Sequence, residues 1–258
     1  MRTNRIFLLI AISLSGLLLS CQKVIDLKLN TSSPQIVIEG NVYDQPGPDT
    51  VRISKSVNFD STNVFPAVSG ATVIIDDNTG NSETLTEIYP GTYITSSLQG
   101  IPGRTYTLRV QTGGETYTTN STMPPAVAID SVYLENSWFT NQQVNIEFKD
   151  PPNITNYYRL IEFVNNVQIE NFFVTNDKLN NGEMITYTIW NDTNRLKSGR
   201  IVTIWLECID ESVYNYFRTA SLNGEQTISP SNPLSNISNG ALGYFNACTV
   251  RKKSIIVP

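Results

Sequence analysis

The chain has 258 residues, with 18 Lys+Arg against 23 Asp+Glu, a net charge of -5 and no histidine. The missing imidazole excludes Ser-His-Asp and Cys-His catalytic arrangements, histidine metal sites and a histidine pH switch. The acidic balance, without long Lys/Arg clusters, excludes nucleic acid or anionic lipid bound through charge alone.

In chain order, Arg2 and Arg5 precede an apolar run from Ile6 to Leu19 that closes on the small residue Ser20. Basic, then apolar, then small is the order of a secretory signal, expected over residues 1–20. The run is interrupted by Ser13, Ser15 and Gly16, and falls short of the about 20 apolar residues that a membrane helix needs. Leu18-Leu19-Ser20-Cys21 resembles a bacterial lipobox. Cleavage before Cys21 and acylation of its thiol would leave the protein anchored, each buried methylene contributing about 0.8 kcal/mol. Loss of Arg2 and Arg5 with the leader takes Lys+Arg from 18 to 16 against 23 Asp+Glu, and the charge from -5 to -7. Residues 21–34, polar toward their end, read as a tether.

Period-2 alternation dominates the rest of the chain. Tyr106, Leu108 and Val110 alternate with Thr105, Thr107 and Arg109, and Val144, Ile146 and Phe148 with Asn145, Glu147 and Lys149, as strands with one buried face require. Further strands are expected at 36–43, 50–57, 71–76, 83–89, 92–96, 115–121, 157–164, 184–190, 200–208 and 244–250. Asn78-Thr79-Gly80-Asn81, Gly113-Gly114, Asn165-Asn166 and Asn180-Asn181-Gly182 suit hairpin connections. The fold class expected is therefore mainly β: two β-sandwich-like, immunoglobulin-like domains. Met123-Pro124-Pro125 marks the boundary, giving domains 35–123 and 124–258. One short helix is expected in the second, over 211–222, capped by Asp210, with Val213, Phe217 and Ala220 at i, i+4 and i+7. Its aromatic residues, Tyr214, Tyr216 and Phe217, read as packing.

Few residues suggest chemistry. Cys208 and Cys248 are either a disulfide or two buried thiols. The sequence carries neither a P-loop nor a dinucleotide glycine fingerprint, and no enzyme activity, cofactor or metal is expected. Glu147 and Asp150 are the carboxylates that can be nominated for glycoside hydrolysis; solvated strand charges are the simpler account. Asp76-Asp77-Asn78-Thr79-Gly80 lacks the register of a calcium loop and reads as a polar hairpin turn. The pairs Trp138-Phe139, Tyr157-Tyr158 and Phe172-Phe173 offer stacking surface for a sugar or peptide. Neighbours on a strand face opposite ways, so one ring of each pair is expected in the core.

Several ordered stretches carry a family resemblance: CQKVIDL from Cys21, then PQIVIEGNVYDQPGPDTVRIS, VSGATVIIDDNTG, PGTYITSSLQGIPGRTYTLRV and GETYTTNSTMPP. FKDPPNITNYYRL and NISNGALGYFNA follow in the second half. Together they resemble the lipoproteins grouped as domain of unknown function 4249, over nearly the whole mature chain. The resemblance implies a cell-envelope lipoprotein of the Bacteroidota, of a kind often encoded near TonB-dependent transporters; the function expected is a noncatalytic accessory or capture subunit of such a transporter, held in outer-membrane lipid through acylated Cys21. A surface adhesion or assembly component is the alternative, and a carbohydrate-active enzyme a third. Gln22-Lys23-Val24 carries no acidic export cluster, so either face of the outer membrane stays open. The resemblance carries over no catalytic residues.

Overall fold

A computed structural model describes residues 33–58, 64–136, 142–191, 195–224 and 232–258. The expected leader, Cys21 and most of the expected tether lie outside these residues, as do Trp138 and Phe139.

The first half supplies β1 (Ile36–Tyr43), β2 (Thr50–Lys55), β3 (Thr72–Asp77), β4 (Ser82–Thr84), β5 (Thr86–Tyr89), β6 (Thr92–Ile94), β7 (Thr105–Thr112) and β8 (Glu115–Thr122). The second supplies β9 (Ser131–Asn136), β10 (Gln142–Lys149), β11 (Tyr157–Val164), β12 (Val167–Gln168), β13 (Phe173–Asn176), β14 (Met184–Trp190), β15 (Ile201–Ile209), helix α1 (Glu211–Gly224) and β16 (Leu242–Ile256). The expected helix and strands are present, except that the one strand expected at 83–89 is two, β4 and β5, which break at buried Leu85 and pair with β3 and β6 in different sheets. The short β9, β12 and β13 lie outside the expected set.

These strands build a nine-stranded sheet in the order β12-β11-β15-β16-β1-β2-β6-β5, with β13 also on β11. Smaller sheets, β4-β3-β7-β8 and β14-β10-β9, complete the strands. Ile38, Val42, Val51 and Phe245 of the long sheet share one apolar core with Val73, Leu108 and Val110 of the four-stranded sheet. Leu160, Ile204 and Leu206 share a second with Val144, Ile146 and Phe148 of the three-stranded sheet. The expected boundary at 123–125 does not divide these cores: Ile237, Ala241, Phe245 and Ala247 enter the first from the second half of the chain, although the two cores stay distinct. Residues 34–258 nevertheless form one compact unit, because β1 pairs in parallel with β16 from Val37↔Leu242 to Tyr43↔Cys248 and makes one sheet serve both sandwiches.

Local chemistry explains the connections. Gly113 and Gly114 both adopt positive φ, as do Asn165 and Asn166, so each pair closes its hairpin with the twist that two-residue turns favour. Asn180-Asn181-Gly182 is not a hairpin: β13 pairs with β11 and β14 with β10, so this turn carries the chain between sheets. In the Asp76–Gly80 stretch, Asp77 accepts bonds from Thr79 N (2.9 Å), Asn81 N (3.0 Å) and Arg104 Nη1 (2.7 Å). Its oxygens are engaged within the turn, as a polar hairpin requires. Asp210 caps α1, accepting from Val213 N at 3.0 Å, and also takes the Ser121 hydroxyl, tying the helix to β8. Val213, Phe217 and Ala220 are buried at the expected spacing.

Candidate functional site

Alternation along the long sheet sets its two faces apart. On β15, Val202, Ile204, Leu206 and Cys208 enter the second core, which turns Thr203, Trp205, Glu207 and Ile209 to the opposite face. On β16, Tyr244, Cys248 and Val250 share that opposite face, where α1 packs through Val213, Tyr214 and Phe217. Beside the helix the face opens as a basin of about 600 Å³, within the range of small-molecule sites.

Its walls are aromatic: Tyr43, Phe163, Phe172, Trp205, Tyr216 and Tyr244. Trp205 lies 4.8 Å from Phe163, and Tyr216 lies 5.0 Å from Tyr244, centroid to centroid. Lys252 Nζ sits 3.6 Å over the Trp205 ring. Burial raises the phenols of Tyr43 and Tyr244 above their ordinary value and pushes Tyr216 up to about 12. All three are therefore protonated hydroxyls at neutral pH.

Arg159 forms the floor. It is 8% exposed, bonds Glu207 Oε2 at 3.1 Å and lies 3.9 Å over the Phe217 ring. Burial pushes the Glu207 carboxyl up, against the pull of Arg159. Burial also works against the Arg159 cation, but the charge of Glu207 and nearby Tyr244 outweighs it and raises its pKa. The two directions conflict over whether the pair is ionised. A guanidinium cannot shed its proton, and a neutral Glu207 would leave it buried without a counter-charge, so both groups are ionised. Glu39 and Asn41 of β1, Arg52 of β2, and Gln168 and Glu170 complete the polar lining.

The residues singled out by sequence are dispersed. Tyr158 is core, T-shaped against Phe148 at 4.7 Å, while Tyr157 stacks on Tyr214 at 5.0 Å. Phe173 packs on the second core and Phe172 opens into the basin, 48% exposed. Of the helix aromatics read as packing, Tyr214 packs, whereas Tyr216 and Phe217 also line the basin. Glu147 and Asp150 do not converge on a site: Glu147 takes bonds from Ser131 and Tyr133, whereas Asp150 is buried on Tyr158 and Gly182 N. Cys208 and Cys248 are free thiols. Cys208 pairs across the strands with Thr249, so its neighbour Cys248 points to the other face, and no bridge can form without moving the backbone. Burial pushes Cys208 to about 11 and Cys248 well above its ordinary value, so both are unreactive.

Sequence reasoning missed Arg159, Glu207 and Trp205. A signal was present in YYRLIEFV and IVTIWLECI, whose near-continuous apolar character marks strands covered on both faces.

The family model described as domain of unknown function (DUF4249) matches residues 22–254. The chain belongs to the DUF4249 family. No curated protein matches this DUF4249 protein. Among solved structures it is similar to the adhesin InvE of Yersinia pseudotuberculosis, at 14% identity over 67% of this chain and 55% of that one, with a TM-score of 0.22. A pullulanase complexed with maltotriose from Anoxybacillus sp. LM18-11 aligns at 13% identity over 66% of this chain and 24% of that one, also with a TM-score of 0.22. This chain thus spans about half of the first and a quarter of the second, and neither superposition is close enough to carry an argument.

Proposed function

We propose that this DUF4249 protein is a noncatalytic cell-envelope lipoprotein, anchored in the outer membrane through acylated Cys21. It captures a ligand as the accessory subunit of a TonB-dependent transporter. The basin carries the reading: aromatic walls over a buried Arg159–Glu207 pair combine apolar contact area with a few placed polar groups, the usual make-up of a binding pocket. The lipobox-like LLSC supports the anchor.

The assembly reading has one observation of its own. β14 is an edge strand of its sheet and leaves Met184 and Trp190 exposed, a form that invites pairing with another chain.

Extraction in mild detergent followed by affinity purification tests the proposal. A β-barrel partner is expected to copurify with the wild-type chain, and Cys21→Ala is expected to leave the membrane fraction. Recovery of the protein alone, or unchanged membrane retention of Cys21→Ala, contradicts it.

A further inference from the structure

We infer that the basin takes an uncharged glycan, a short oligosaccharide that lays its ring faces on the aromatic walls and presents its hydroxyls to Arg159 and the amide side chains. This rests on the basin being the capture site.

Three observations select this chemistry. Charge is balanced around the basin: Glu39, Glu170 and Glu207 are matched by Arg52, Arg159 and the Lys252 that covers Trp205, so no net field favours an ion. The floor strands β1, β2, β11, β15 and β16 each pair on both sides, and their main-chain groups are spent. An extended peptide laid there would find no backbone partners, whereas sugar hydroxyls need only side chains. Arg159 makes a single side-chain hydrogen bond among the described residues, to Glu207. A guanidinium carries five N–H donors, and this one lines the basin. A purely apolar ligand would strand those donors.

The test uses the purified full chain in detergent against panels of neutral hexose, pentose and N-acetylhexosamine oligosaccharides, uronate oligosaccharides and aromatic tripeptides, read by calorimetry and tryptophan fluorescence. Phe172→Ala is the informative variant, because its half-exposed ring contributes little to the fold; circular dichroism checks that. Binding of a neutral oligosaccharide is expected, weakened roughly tenfold in Phe172→Ala. Binding of uronates or tripeptides alone, with the same sensitivity to Phe172→Ala, overturns the glycan and keeps the capture site. If no panel shows binding that depends on Phe172, the capture site fails too.

Discussion

Replacing Arg159 with alanine is expected to lower the free energy of unfolding by about 3–5 kcal/mol, seen as a drop in urea midpoint at unchanged slope. The reason is what remains behind. Glu207 is fully buried and Arg159, at 3.1 Å, is its counter-charge. Without the guanidinium, Glu207 must either bury an unpaired charge or bind a proton. Its folded pKa then lies further above the unfolded carboxylate value of about 4.3. A raised folded pKa means that stability is retained below the unfolded pKa and lost as pH rises through the folded one. The deficit of Arg159→Ala should therefore be smallest in acid and grow toward neutral pH. The double variant Arg159→Met/Glu207→Leu removes both charges while filling the space, and is expected to match the parent or exceed it by about 1–4 kcal/mol. A single variant as stable as the parent would show that the pair is not desolvated. If the double variant is stable yet no longer binds ligand, the ion pair is kept for the basin and not for the fold.

Among the described glycines, Gly243→Ala should be the most damaging added methyl. Gly243 has φ +100 and faces β1 so closely that a Cβ would lie 2.0 Å from the Ile38 carbonyl oxygen. Strain at positive φ alone costs about 1–3 kcal/mol; the clash adds to it, because the group it meets is backbone and cannot rotate away. A total of about 4 kcal/mol or more is expected, expressed as insoluble protein or a collapsed urea midpoint. Gly240→Ala is the control: its φ is +71 but nothing lies within 4 Å of the added methyl, so only the backbone strain applies, about 1–2 kcal/mol. Equal effects at the two sites would contradict the close approach of β1 and β16, and with it the seam that makes one sheet of the two halves.

That seam also explains what the sequence could and could not convey. β1, β11 and β14 were legible to the residue, because alternation and turn residues are local signals. The parallel pairing of β1 with β16 joins residues some 200 positions apart, and no local pattern encodes it; hence the two-domain expectation beside a single compact unit. The end of β16 was missed for the same reason. The strand expected at 244–250 stops short of Arg251-Lys252-Lys253, yet Arg251 pairs with Asp44 at 2.7 Å, Lys252 covers Trp205 and Lys253 donates to the Asp130 carbonyl.

The basin was harder still. Its residues occupy the positions that alternation assigns to solvent, such as Glu39 and Asn41 on β1, and the cover that turns them into a site comes from α1 and from the segment bearing Phe172. Phe172 was legible as one of a pair with a ring to spare. Arg159 was not, because a lone arginine in an apolar strand gives no sign of the Glu207 partner across the ladder.

Hydroxyl-radical footprinting of the protein in its native membranes, compared with the purified chain, tests most directly whether the basin is the working surface. Protection of Phe172 and Tyr216 in the membranes is expected, with Tyr89 and Trp190, exposed elsewhere at 70% and 60%, oxidised equally in both. Protection of Tyr89 or Trp190 with Phe172 unchanged would contradict the capture basin and move function to the sheet edges.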